Sequence, residues 1–178
     1  GGCGFIGSHL SEKLIQLGYK VKIIDNLSTG RLENISKFKD KIKFYKLDIK
    51  NKNKIENLFR NIDIVFHCAA LADIVPSIQN PQSYFDSNVT GTLNVVTSSV
   101  KHKVKKIVYT ASSSCYGKCK NTPTGEEEKI SPEYPYALTK YLGEQILLHW
   151  SKVYKLQCIS LRLFNVYGPR SRTSGTYG

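Results

Sequence analysis

Glycines at positions 1, 4 and 7, in the run Gly1-Gly2-Cys3-Gly4-Phe5-Ile6-Gly7, constrain this chain more than any other feature. They are followed by Ser8-His9-Leu10 and an apolar repeat at Leu10, Leu14 and Leu17 that ends at Gly18. Glycines at that spacing let a backbone turn tightly and approach a pyrophosphate. The helix that follows offers unpaired N–H groups and a positive dipole end to the same anion. Glycine clusters also make ordinary turns, so the rest of the chain has to supply the context.

That context is an alternation of apolar strands and amphipathic helices. Strands are predicted over 19–25, 42–47, 62–68, 106–111 and 157–163, from runs such as Ile62-Asp63-Ile64-Val65-Phe66-His67-Cys68. Helices are predicted over 8–17, around 55–59, over 84–100 with a break near Gly91, and over 136–154; the stretch with Pro76 and Pro81 reads as loop. Polar residues gather where the strands end. This pattern specifies an α/β fold, a Rossmann-like doubly wound parallel sheet with its ligand crevice at the strand C-termini.

Two further patterns sit at such ends. Asp25 closes the second strand of the unit, 18 residues beyond Gly7. An acid there accepts hydrogen bonds from adenosine ribose hydroxyls and repels a 2′-phosphate, which favours NAD over NADP; a strand-end Asp can also simply cap a turn. In Tyr136-Ala137-Leu138-Thr139-Lys140, the phenol and the ammonium share one helix face. A phenol titrates near 10 when free, and a nearby cation favours its phenolate.

Charge and cysteine usage narrow the alternatives. The net charge of +12 comes from 26 Lys and Arg against 14 Asp and Glu. The lysines between 37 and 54 have no aromatic residues arranged with them as a base-stacking platform, so they read as a solvated face that attracts anions, and no nucleic-acid partner is expected. Cys3, Cys68, Cys115, Cys119 and Cys158 form no C-x-x-C pair and lack zinc-ligand spacing, so no metal and no disulfide framework is expected, and a reducing cytoplasm fits them. No apolar run approaches the roughly 20 residues of a membrane span.

Taken together, these motifs resemble the extended short-chain dehydrogenase/reductase family, in its nucleotide-sugar epimerase and dehydratase branch, nearest the UDP-hexose 4-epimerases. The resemblance runs through Gly1 to Leu10, Asp25-Asn26-Leu27, Asp48-Ile49, His67 to Leu71 and Asn88 to Thr92. It continues through Ser112 to Gly117, Tyr136 to Lys140 and Leu161 to Pro169. It implies that Gly1, Gly4, Phe5, Ile6 and Gly7 approach the NAD pyrophosphate, that Asp25 and Asn26 meet the adenosine ribose, and that Asp48 and Ile49 border adenine. Ala69, Ala70 and Leu71 would run along the cofactor with Asn88 nearby. Ser112, Tyr136 and Lys140 would be catalytic, Lys140 also holding the nicotinamide ribose and depressing the Tyr136 pKa, while Ser112, Ser113, Tyr136 and Asn165 would meet substrate.

Within that branch, dehydratases carry Asp-Glu after the catalytic Thr, whereas this chain has Ser113-Ser114. The resemblance therefore implies 4-epimerisation of a UDP-sugar through a transient 4-keto sugar. A 4,6-dehydratase, another short-chain dehydrogenase, and an NAD-binding protein without turnover are the alternatives. Departures at Leu163, where the family often has Tyr, and Ala72, where some epimerases have Lys, leave the sugar open. Residues 1–165 are expected to form the NAD-binding domain and 166–178 the start of a substrate-binding region. The strand before Gly1, normally central between those at 19–25 and 62–68, and the C-terminal substrate domain are expected to belong to a longer protein. A homodimer through helices 84–100 and 136–154 is implied as well. The stretch Arg170 to Gly178 reads equally as a substrate contact and as a solvated loop.

Overall fold

The computed structural model describes residues 1–119 and 122–171. Its strands are β1 (Val21–Asp25), β2 (Ile42–Lys46), β3 (Ile64–His67), β4 (Lys106–Ser112) and β5 (Gln157–Leu163). The helices are α1 (Phe5–Gln16), α2 (Lys52–Ile55), α3 (Ile74–Gln79), α4 (Pro81–Tyr84), α5 (Gly91–Lys101) and α6 (Pro135–Tyr154).

All ladders are parallel. β1 pairs with β2 in the register Val21–Ile42 to Asp25–Lys46, and β4 lies between β3 and β5, pairing Phe66 with Val108 and Val108 with Ile159. Among the described residues β1 and β3 share no ladder, so the sheet is divided where an intervening strand was expected. The glycine loop reaches across the strand ends at that division. A Cβ on Gly1 would lie 2.5 Å from the Ala69 nitrogen, and one on Gly2 2.6 Å from Ile23 Cγ2.

Three apolar clusters bind the layers. Val96 of α5 and Leu147 of α6 cover Ile107, Tyr109 and Ala111 of β4. Ile49, Ile55, Phe59, Val95 and Val104 form a second cluster, and Cys3, Ile23, Ile35 and Phe38 a third beneath the glycine loop. Each fully buried aliphatic side chain contributes about 1.5–3 kcal/mol by leaving water.

The structure departs from expectation in three places. The stretch holding Pro76 and Pro81 is helical, because each proline falls in a first turn, where a missing N–H costs no hydrogen bond. The helix over 84–100 is compound and unbroken at Gly91: α4 passes through a π-helical turn (Phe85–Thr90) into α5, with Gly91 itself helical. On α1 the buried face is Gly7, Ser8 and Ser11 rather than the leucine stripe, and Leu17 is exposed. Small side chains let this helix start close against the loop that feeds it.

Candidate active site

The cleft lies at the C-terminal ends of β1, β2 and β3. Gly1, Gly4, Asp25, Asn26, Asp48, Ile49, Ala69, Ala70 and Leu71, all among the residues named from the sequence, line it; Ile24, Ser28, Thr29, Leu47, Cys68 and Ser87 complete the wall. The serine and threonine of the 26–30 loop and Ser87 carry no motif, and only the fold brings them here.

Gly7 explains the compactness of the loop. A Cβ there would collide with the Gly1 carbonyl oxygen and lie 2.8 Å from Gly2 Cα, whereas one on Gly4 would meet only the Gly1 oxygen, at 3.4 Å. The first turn of α1 is thus held hard against the preceding backbone, while Gly4 keeps the cleft side open. Phe5 and Ile6 open the helix and do not wall the cleft.

Asp25 serves this loop directly. Its two carboxylate oxygens accept N–H bonds from Cys3 at 2.9 Å and Leu27 at 2.8 Å. The acid is nearly enclosed yet borders the cleft, so it fixes the glycine loop with one oxygen and the 26–30 turn with the other. Asn26 donates to Asp48 at 3.0 Å. That bond and the Lys50 N–H and ammonium hold the Asp48 carboxyl below its ordinary pKa against the opposing effect of burial, which is the largest single influence on it.

Asn88 links Leu71 of the cleft wall to a second group. Ser112 ends β4; its hydroxyl oxygen accepts the Ser114 N–H at 3.2 Å, and its side chain acts to lower the Tyr136 phenol. Pro135 starts α6, placing Tyr136 and Lys140 one turn apart over the strand ends. Asn88, wholly buried in the π-helical turn, accepts from the Leu71 N–H and donates to the Leu71 carbonyl and to Thr139 Oγ1. It is a strut between the cofactor-side loop and α6 rather than part of the cleft wall.

The protonation pattern differs from the one expected. Burial pushes the Tyr136 phenol above its ordinary pKa, with the Ser112 hydrogen bond acting against it. Burial lowers the Lys140 pKa to about 7, and its Nζ rests 4.2 Å from the centre of the Tyr109 ring. His67 is held neutral by complete burial; its Nε2 lies 2.9 Å from Thr92 Oγ1, which donates in turn to the Asn88 carbonyl.

Behind Ser112 a buried ion pair braces the turn. Arg162 donates to both carboxylate oxygens of Glu144 at 2.6–3.2 Å and to the Tyr116 hydroxyl at 2.9 Å. Ser113 follows Ser112 in the 3₁₀ turn Ser113–Tyr116, half-buried, and Asn165 is exposed in the segment after β5. That segment is fastened to α1 through His9 and the Pro169 carbonyl at 2.9 Å, and through an Arg170–Glu12 ion pair. Arg170 is therefore committed to Glu12, and residues 172–178 of the Arg170 to Gly178 stretch lie outside the described residues.

A parallel α/β sheet with a glycine loop and a strand-end acid at one cleft defines a Rossmann-like class. The chain belongs to the NAD dependent epimerase/dehydratase family, whose model matches residues 1–177. A UDP-glucose 4-epimerase of Dictyostelium discoideum is 36% identical over 185 residues, covering 100% of this chain and 53% of that protein. The Thermotoga maritima UDP-glucose 4-epimerase, solved with UDP-glucose, superposes with a TM-score of 0.93 at 37% identity, over 98% of this chain and 57% of that one. A UDP-N-acetylglucosamine 4-epimerase of Methanobrevibacter ruminantium, in complex with UDP-N-acetylmuramic acid, gives 0.93 at 36% identity, over 99% and 56%. The Thermus thermophilus UDP-glucose 4-epimerase in complex with NAD gives 0.92 at 36%, over 99% and 57%. The chain spans about half the length of the relatives it matches.

Two structural facts bear on binding partners. No helix among the described residues is long and apolar enough to cross a membrane, and among them no group of three or more His, Cys, Asp or Glu is placed to hold a metal ion.

Proposed function

We propose that the full-length protein carrying this chain is an NAD-dependent UDP-hexose 4-epimerase. The observation that carries the reading is that Asn88 ties Leu71 of the cleft wall to the helix bearing Tyr136 and Lys140, with Ser112 at the end of β4 followed by Ser113-Ser114 where elimination would need two carboxylates. Dinucleotide fit is supported by the cradle itself: Gly1 and Gly7 have no room for a Cβ, Gly4 leaves its face to the cleft, and Asp25 repels a 2′-phosphate.

In this reading Gly1, Gly4, Phe5, Ile6 and Gly7 surround the pyrophosphate, Asp25 and Asn26 face the adenosine ribose, and Asp48 and Ile49 the adenine. Ala69, Ala70 and Leu71 follow the dinucleotide towards Lys140, with Asn88 as their support. Bound NAD supplies a hydride acceptor that returns what it takes. Tyr136 moves the proton of the sugar 4-hydroxyl at its Oη, and Ser112 Oγ holds the same oxygen; a proton moved by a placed group is worth about 10²–10⁴-fold. Burial raises the Tyr136 phenol against the lowering by Ser112, and Lys140 holds the nicotinamide ribose in this reading. Ser113 and Asn165 meet the substrate.

Residues 1–165 are the NAD-binding part and 166–178 lead into the substrate-binding region. Homodimerisation through the α4–α5 and α6 helices is supported by exposed Phe85, Leu138 and Leu148. A cytoplasmic setting is supported by cysteines that are all free. The test is an assay of the full-length protein on UDP-glucose, UDP-N-acetylglucosamine and UDP-glucuronate, with bound NAD measured by release. Interconversion of at least one 4-epimer pair is expected; NAD bound without any interconversion would remove the epimerase reading.

A further inference from the structure

Tyr109 is the largest of the fully buried side chains among the described residues, and the glycine-loop and Tyr-Lys motifs do not mention it. It stands on β4 three residues before Ser112, with the His67 ring 5.3 Å away on the neighbouring strand. The Lys140 Nζ lies 4.2 Å from its ring centre, and its hydroxyl donates to the Lys140 carbonyl at 3.3 Å. Among the described residues no carboxylate lies within ion-pair distance of that ammonium. Glu144, one turn further along α6, is engaged by Arg162 and Ser160. The other titratable groups facing it are His67 and Cys68.

The hydroxyl end of the phenol explains how it fits. A Cβ on Gly143 would lie 2.6 Å from Tyr109 Oη, 3.2 Å from its Cζ and 3.1 Å from the Asn88 carbonyl oxygen. A rigid ring backed by a strand cannot retreat from such a contact, so the phenol occupies this place only because residue 143 has no side chain.

We propose that Tyr109 is a positioning residue, holding the Lys140 ammonium by the face of its ring, and that Gly143 is the opening in α6 that admits it. A desolvated ammonium over an aromatic face gains from the ring quadrupole what a carboxylate would otherwise supply. The ring does so without adding a negative charge beside Tyr136, which would oppose phenolate formation. The proposal rests on the reading of Lys140 as part of the reaction site.

The test uses the full-length protein and the variants Tyr109→Phe, Tyr109→Leu and Gly143→Ala, with two readouts. The first is the rate at which a small acylating reagent modifies the Lys140 amine near pH 5, well below its pKa of about 7 so that most of it is protonated, followed by mass spectrometry. Tyr109→Phe keeps the ring and should label at the parent rate, whereas Tyr109→Leu should label about 10-fold faster, because the ammonium loses its stabilising face. Gly143→Ala displaces the ring at its hydroxyl end and should resemble Tyr109→Leu; it carries the test if the leucine variant does not fold. The second readout is steady-state epimerisation, where kcat should fall about 10-fold or more in Tyr109→Leu with the sugar KM nearly constant. Unchanged Lys140 labelling in Tyr109→Leu and Gly143→Ala overturns the proposal, as does a Tyr109→Phe variant that labels as fast as Tyr109→Leu. Faster labelling with unchanged kcat leaves the positioning role standing and removes Lys140 from the reaction instead.

Discussion

The Asn88 side chain grips the Leu71 backbone from both sides, accepting its N–H at 2.8 Å and donating to its carbonyl at 3.0 Å, while the same amide nitrogen reaches Thr139 Oγ1 at 3.1 Å. One buried amide thus sets the distance between the loop bordering the cleft and the helix that carries Tyr136 and Lys140. Asn88→Ala leaves the Leu71 N–H and the Thr139 hydroxyl without this partner and should destabilise the protein by about 2–3 kcal/mol. Asn88→Asp keeps an acceptor but loses both donations, so it should not restore the parent. Urea denaturation measures the first effect, and NAD retention on gel filtration should fall in parallel.

The Glu144–Arg162 pair makes a different demand. Glu144 is almost fully buried and Arg162 three-quarters buried, and the guanidinium also steadies Tyr116 behind Ser112. Arg162→Leu strands a buried carboxylate and should cost roughly 3–5 kcal/mol. Pairing it with Glu144→Met removes the stranded charge, so the double variant should lose clearly less than the sum of the singles. A double-mutant cycle by chemical denaturation measures the coupling; simple additivity would show that the pair does not act as a unit.

How much of this was legible beforehand follows from the range of the interactions. The glycine loop, Asp25, the Tyr136/Lys140 spacing and the strand–helix alternation are local patterns, and each lies where the sequence placed it. Asn88 was expected beside the cofactor, but its bonds to residues 71 and 139 depend on the π-helical turn, which no local pattern encodes. The helices α3 and α4 were hidden by prolines that read as breakers until their first-turn positions were known. Tyr109 reads in the sequence as one more apolar strand residue; only the parallel register and the glycine on α6 turn its face towards Lys140. Burial, which raises the Tyr136 phenol, is a property of the packed helix layer, invisible in a five-residue motif.

Titration of Lys140 gives the cofactor-free protein a characteristic pH response. Its pKa is about 7 in the folded chain against 10.5 for a free lysine, so between those values the unfolded chain binds the extra proton. Stability therefore rises with pH from about 7 upwards, as the buried amine becomes neutral in the folded state. Thermal melts at intervals from about pH 7 to 9.5 should show that rise, and Lys140→Met should flatten it. His67, pushed well below its ordinary pKa by burial, acts on the acid side: stability should fall as pH drops below 6.5, where the unfolded chain takes up its proton first.

The central claim is that the Tyr136 phenol moves the proton of the sugar hydroxyl beside Ser112. Its most direct test compares full-length parent and Tyr136→Phe for interconversion of a UDP-hexose and its 4-epimer, with bound NAD quantified in the same preparations. The account predicts that Tyr136→Phe keeps its NAD and loses kcat by about 10²-fold or more. A Tyr136→Phe variant with bound NAD and a near-parental kcat would contradict it.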